Sequence, residues 1–208
     1  LTLGFVMIGI FAMFFILFKN IKLSLIGILL FANSAFAEVR MGVEGGLVYA
    51  DMRAEETAQI LANASGSTVT YEYDEATWSG RIFADIELSP QVHAELGYFL
   101  TGSLDATYTI SGASATEGYD AMGIDIAAVI YTDDVFFKAG MHSSELNGKA
   151  SLTIGGTTYS VTESISGSGF LVGGGLQTDD TRLGLTYYSD MGGDEDSGMT
   201  MIYYGILF

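Results

Sequence analysis

The sequence contains no cysteine and a single proline, Pro90. The first absence removes disulfides and thiolate metal sites together, so a chain of this composition must hold its fold by backbone pairing and packing. Basic residues are scarce as well: eight Lys and Arg stand against 25 Asp and Glu, a formal net charge of −17. That balance excludes nucleic acid as a partner, because phosphates are held by basic patches. Beyond residue 37 no stretch reaches the roughly 18 apolar residues that a spanning helix requires. Sustained three-to-four periodicity is also missing there, apart from "AEETAQILANA" (54–64), which reads as a short helix.

Residues 1–37 contain no acidic residue. Two apolar runs, "LTLGFVMIGIFAMFFILF" and "LSLIGILLFANSAFA", flank the basic patch "KNIK". The second half reads as a cleavable signal peptide, with Lys19 and Lys22 as its charged start, Leu23 to Phe31 as its apolar centre and Ala35-Phe36-Ala37 as the cleavage site. The apolar run ahead of the lysines is just long enough for a helical anchor; its other reading, and the expectation, is an upstream extension, with initiation at or near Leu17. The expected organisation is therefore a signal segment over 1–37 and one domain over 38–208. The domain keeps all 25 acidic residues and six basic ones.

Within that domain the recurring period is two. In "VRMGVEGGLVY" Val39, Met41, Val43, Leu47 and Tyr49 alternate with Arg40, Gly42, Glu44 and Gly46. The same alternation runs through "WSGRIFADIEL", "VHAELGYFL", "MGIDIAAVIY", "VFFKAGMH", the Gly-rich "GFLVGGGLQ", "RLGLTYY" and "IYYGILF". That makes eight strands, an even number, as a closed up-and-down barrel requires. The connections alternate too. "SPQ" and two copies of "TDD" are short, whereas those centred near residues 53–76, 102–118, 144–166 and 189–198 are long. Short turns at one end and long loops at the other are the layout of a transmembrane barrel. The expected fold class is all-β, an eight-stranded antiparallel up-and-down transmembrane β-barrel in the outer membrane.

Charge placement gives the strands a direction. Arg40, Arg81, Lys138 and Arg182 fall on the sparse polar face, and Glu44, Asp85, Glu87, Glu95 and Asp125 share it. A lumen ionic network of these nine residues accounts for cations placed where carboxylates would otherwise lie unpaired at low dielectric. Eight strands leave room for side chains and little else, so a plugged lumen is expected.

The last strand, with Ile202, Tyr204, Ile206 and Phe208 on one face, resembles the C-terminal assembly signal of bacterial outer-membrane barrels. From about Val39 to Phe208 the chain resembles the OmpA-like, opacity-type family of small barrels, and "YYGILF" and "IELSPQVHAELGYF" carry the likeness best. The resemblance implies a monomer that contacts outer-membrane lipid, lipopolysaccharide and the barrel assembly machinery. It also implies loops that serve adhesion, serum resistance or envelope integrity, with a host or matrix surface ligand as a partner and no cofactor.

"DATYTISGASATEGY" and "KASLTIGGTTYSVTES" read as strands continuing past the membrane into polar hairpins, as in OmpX- and Ail-like barrels, with Gly155-Gly156 at one tip. Their other reading is a shield for the barrel mouth. Arg53 and Lys149 are the only basic residues in the long loops, which disfavours polyanionic partners. Asp190, Asp194, Glu195 and Asp196 form an acidic run without the spacing of a calcium loop, and a solvated loop is the expectation. With Glu55, Glu56, Glu72, Asp74 and Glu75 it offers carboxylates to the divalent cations that bridge lipopolysaccharide. The alternative of a different class is a lipid A deacylase-type Ser hydrolase using His142 and Ser144 of "MHSSE", with Glu145 adjacent. The alternation puts His142 on the lumen side, where pairing with a carboxylate is the simpler expectation.

Overall fold

The computed structural model describes residues 38–193 and 197–208. The expected signal segment over 1–37 and the acidic residues Asp194, Glu195 and Asp196 lie outside the described residues. The chain runs β1 (Val39–Ala50), α1 (Ala54–Ser65), β2 (Thr70–Tyr73), β3 (Thr77–Ser89), β4 (Val92–Thr101) and β5 (Leu104–Ile110). It continues through β6 (Ala113–Thr132), β7 (Val135–Ile154), β8 (Thr157–Gln177), β9 (Thr181–Tyr188), a 3-10 turn at Met191–Gly193 and β10 (Met199–Leu207).

Eight of these strands close a ring in the order β1, β3, β4, β6, β7, β8, β9, β10, every pair antiparallel. β10 closes on β1 from Gly42 opposite Leu207 to Ala50 opposite Met199. Met41 and Phe208 extend the seam by exchanging backbone hydrogen bonds of 2.9 and 2.8 Å. A closed ring leaves no strand edge inside a membrane, where an unpaired N–H or C=O has no water to bond.

The period-two alternation becomes two faces. Val39, Met41, Val43 and Leu47 on β1, Ile82 on β3, Leu183 and Leu185 on β9 and Ile202, Tyr204 and Ile206 on β10 all point outward and are exposed. Their neighbours Glu44, Arg81, Arg182 and Tyr203 are buried inside. Water would not tolerate so continuous an apolar exterior, whereas a bilayer requires one.

The long connections are more ordered than loops. β6, β7 and β8 run well beyond the ring, and β5 and β2 add to β6 as a five-stranded extension. Gly155 and Gly156 turn β7 into β8, with φ of 57° and 85°. Positive φ at both central positions is what a tight hairpin turn demands, and glycine adopts it without strain.

The faces exchange character along these strands. Outward positions on β7 pass from Phe137 and Met141 to Ser143, Glu145, Asn147, Lys149, Ser151 and Thr153, and on β8 from Val172 and Phe170 to Ser168, Ser166, Ser164 and Thr162. Positions continuing the lumen face become apolar instead: Leu146, Ala150 and Leu152 on β7 and Ile165, Val161 and Tyr159 on β8. The hairpins expected to be polar are therefore polar on one face only. The exchange marks where strand surroundings change from lipid outside to water outside.

Helix α1, longer by one residue than the sequence pattern, covers part of the apolar face. Gly66 ends it in the left-handed conformation, its N–H donating to the Ala62 carbonyl at 2.9 Å, a common glycine C-terminal cap. Ala54 and Ala58 face the sheet and pack with Ala106 and Tyr108 of β5, flanked by Met52, Leu61, Val69 and Ala115. The Tyr108 hydroxyl donates to Glu117 at 2.5 Å.

Burial first, and the Glu117 bond second, push the Tyr108 phenol above its ordinary value. The folded state thus holds this proton more tightly than the unfolded state. Its stabilising contribution is complete below about pH 10 and is lost as the pH rises through the elevated value. Subtracting the phenolate absorbance titration of Tyr108→Phe from that of wild type should place this ionisation above about 10. An ionisation at or below the ordinary value would contradict the packing of α1 over Tyr108.

Candidate functional site

The lumen is filled by charge. Arg81 reaches from β3 past β4 to β6, where its Nε and Nη2 donate to Asp125 at 2.9 and 2.6 Å. The path exists because Gly97 stands between them on β4: a Cβ there would fall on the Arg81 guanidinium. Nη1 of Arg81 also meets Glu95 at 3.0 Å and Glu44 at 3.3 Å. Arg182, from β9, pairs with the same two glutamates, Glu44 and Glu95. Tyr188 completes Asp125 with a hydroxyl bond of 3.2 Å.

Lys138 is equally buried, but it makes no ion pair among the described residues. Its ammonium lies 4.9 Å from the centre of the Tyr203 ring. Arg81, Arg182 and Lys138 balance Glu44, Glu95 and Asp125 charge for charge, and none of the six is more than 5 % exposed. Phe83 packs on both guanidiniums, 4.9 Å from Arg81 and 4.0 Å from Arg182. Gly42 leaves room for that ring, since a Cβ there would collide with it.

Two further sequence-derived residues form a separate pair nearer the short turns. Arg40 donates to Asp85 at 2.8 Å, and His93 Nδ1 sits 3.0 Å from the same carboxylate. His93 carried no signal in the sequence beyond its polar-face position. Glu87, opposite His93, makes no ion pair among the described residues. Of the nine lumen residues, the structure thus joins five in one cluster around Arg81 and Arg182, sets Lys138 beside it and pairs Arg40 with Asp85.

The residues of the hydrolase alternative are not joined as a triad. His142 is buried against Phe99 and Tyr188, and its Nε2 is 2.7 Å from the Ser189 carbonyl. The expected lumen carboxylate partner of His142 is replaced by this backbone oxygen. Ser144 Oγ accepts from the Gly192 N–H at 3.0 Å, tying the 3-10 turn over the outer end of the lumen. Glu145 stands on the opposite, outward face of β7. Ile202, Tyr204, Ile206 and Phe208 line the outward side of the closing seam. The described residues contain no cluster of three or more His, Cys, Asp and Glu suited to a metal.

Removing one member of the cluster should be costly, because a buried charge is left behind. Arg182→Ala is expected to lose about 3–5 kcal/mol of stability in urea unfolding from lipid, by stranding Glu44 and Glu95. Adding Glu95→Gln should recover part of it, giving a coupling outside additivity. A loss within the error of the measurement, or strict additivity, would contradict a plug held by these pairs.

No protein-family model matches the chain, and no curated protein sequence does. Solved structures do resemble it. Ail, the attachment invasion locus protein of Yersinia pestis, in its complex with the heparin analogue sucrose octasulfate, superposes with a TM-score of 0.51 at 11 % identity, over 82 % of this chain and 99 % of Ail. Neisserial surface protein A gives 0.41 at 15 %, over 83 % and 98 %, and OprG from Pseudomonas aeruginosa 0.42 at 8 %, over 81 % and 95 %. The likeness to Ail is one of fold, and the fold is that of a small eight-stranded outer-membrane β-barrel.

Proposed function

We propose that the protein is a non-enzymatic outer-membrane barrel whose sheet extension meets partners at the cell surface, in adhesion or host interaction. The lumen cluster serves the fold, and the activity belongs to the extension. The observation that carries this reading is the free edge of β8. β9 pairs with β8 only from Leu171 downward, so residues 157–164 have no strand partner on that side among the described residues and offer backbone donors and acceptors along it. An extended segment can add there as a further strand, with the exposed Tyr159 and Val161 beside it.

Electrostatics narrows the partner. The related fold of Ail was crystallised with a polyanion, but the long connections of this chain carry only Arg53 and Lys149 as cations. A neutral or basic segment suits so acidic a surface, and a heparin-like one does not. Glu55, Glu56, Glu72, Asp74 and Glu75 add contacts to lipopolysaccharide through bridging divalent cations. Envelope integrity is the companion role, with the hairpins shielding the mouth.

Replacing residues 145–164 by a short turn should reduce host-cell or matrix binding by more than about tenfold, which corresponds to about 1.4 kcal/mol, while the barrel still forms. Unchanged binding would remove adhesion and leave the shielding role. The outward face of β10 is the part the assembly machinery reads, so Phe208→Ala should lower the assembled fraction in the outer membrane without altering secretion. Equal assembly of the variant would refute that assignment.

A further inference from the structure

At the outer end of the barrel, beside the 3-10 turn, lies a cavity of about 360 Å³. Its walls are mainly aliphatic, made by Val48, Leu104, Leu146, Ile165, Met52 and Met191, with Asp120, Thr101 and Ser197 as polar members of the lining. Methionine side chains reshape to fit different occupants, and a pocket of this size with mainly apolar walls and several polar groups among them is the usual form of a small-molecule site. Its floor is closed. Val48 and Met199 are buried, and the Phe99 and Tyr188 rings, 4.8 Å apart between centres, lie with the ionic cluster in the same lumen. Such a cup holds a ligand without passing it inward.

The cup also has a continuation. Tyr119, Leu146 and Ile165 line it and line a second groove of about 160 Å³, whose other walls include Ala150 and Val161. Both lie on the apolar face created by the exchange of polarity along β6, β7 and β8. Gly148 keeps the groove open beside Tyr119, since a Cβ there would come within 3.1 Å of that ring. An unbranched chain seated in the cup can therefore run on along the sheet over Leu146, Ile165, Ala150 and Val161, with Lys149 and Glu163 at the sides.

At the rim stand Asp51 and Arg53. The Arg53 backbone N–H donates to Asp51 Oδ1 at 2.9 Å, which leaves the second carboxylate oxygen to a ligand. Lys149 and Glu163 both line the groove, one cation and one anion. The wider surface decides the sign: Glu55, Glu56, Glu72, Asp74, Glu117 and Asp190 lie in the same outer part, where Arg53 and Lys149 are the only cations. We propose that the cup binds an amphiphile with an aliphatic chain and a cationic head, the chain between the methionines and the head at Asp51.

The inference does not depend on adhesion and is tested on purified protein in lipid nanodiscs. With ¹³C-methyl methionine, dodecylammonium should produce saturable shifts at Met52, Met191 and Met199, leaving the lipid-facing Met41 and Met141 unmoved. Dodecanoate should bind at least about tenfold more weakly in that field. Leu146→Trp should fill the cup and abolish the shifts. Asp51→Asn, at an exposed position, should keep the fold and narrow the gap between dodecylammonium and neutral dodecyl maltoside by several-fold. Equal shifts at Met41 and Met141 would mean partition into the bilayer and overturn the site. Equal affinity for dodecanoate, or an unchanged gap in Asp51→Asn, would overturn the assignment of the head.

Discussion

Six buried charges that neutralise one another govern the rest of this structure. Three carboxylates in a narrow lumen cannot stay ionised without cations at contact distance, because removing each from water costs several kcal/mol. Arg81 and Arg182 bridge Glu44, Glu95 and Asp125 with donors left to share. This requirement places polar residues on one strand face, and so leaves the other face free to be apolar throughout. It also dictates where bulk is forbidden: the guanidinium of Arg81 needs the space at Gly97, as the Phe83 ring beneath the guanidiniums needs that at Gly42.

Outside the bilayer the same strands solve the opposite problem. Once water replaces lipid, the outward positions must be polar, and Ser, Thr and Asn take them on β7 and β8. The inward parity no longer faces a charged lumen, so it turns apolar and needs cover. Helix α1 supplies it over β5, through small residues that allow close approach. The stretch over β7 and β8 remains uncovered, with Tyr159 and Val161 more than 60 % exposed. The proposed surface function and the proposed ligand cup both rest on this stretch.

Much of the barrel was legible because a strand pointing two ways must alternate, and alternation survives in a single sequence. Arg40, Glu44, Arg81 and Arg182 declared their face at once. Height in the lumen was not legible. Alternation says which way Lys138 points, but the tilt of the strands decides that it meets the Tyr203 ring and no carboxylate. The same tilt hands Asp85 to His93 and His142 to the Ser189 carbonyl. The exchange of faces was missed for a related reason. A residue pair such as Val161 and Thr162 alternates identically above and below the membrane boundary, and only the register with β6 and β7 reveals which side has changed its surroundings.

The protein is a closed ring with a neutral, filled interior and an apolar belt. The most direct test is electrophoresis of the outer-membrane fraction in SDS, with and without boiling. A closed barrel satisfies every backbone pair internally and resists the detergent when cold. A band of altered mobility in the unboiled sample, shifting on boiling, is the expected result in that fraction. A single band at one mobility under both conditions, recovered from the soluble periplasm, would contradict it and reverse the assignment of inside and outside.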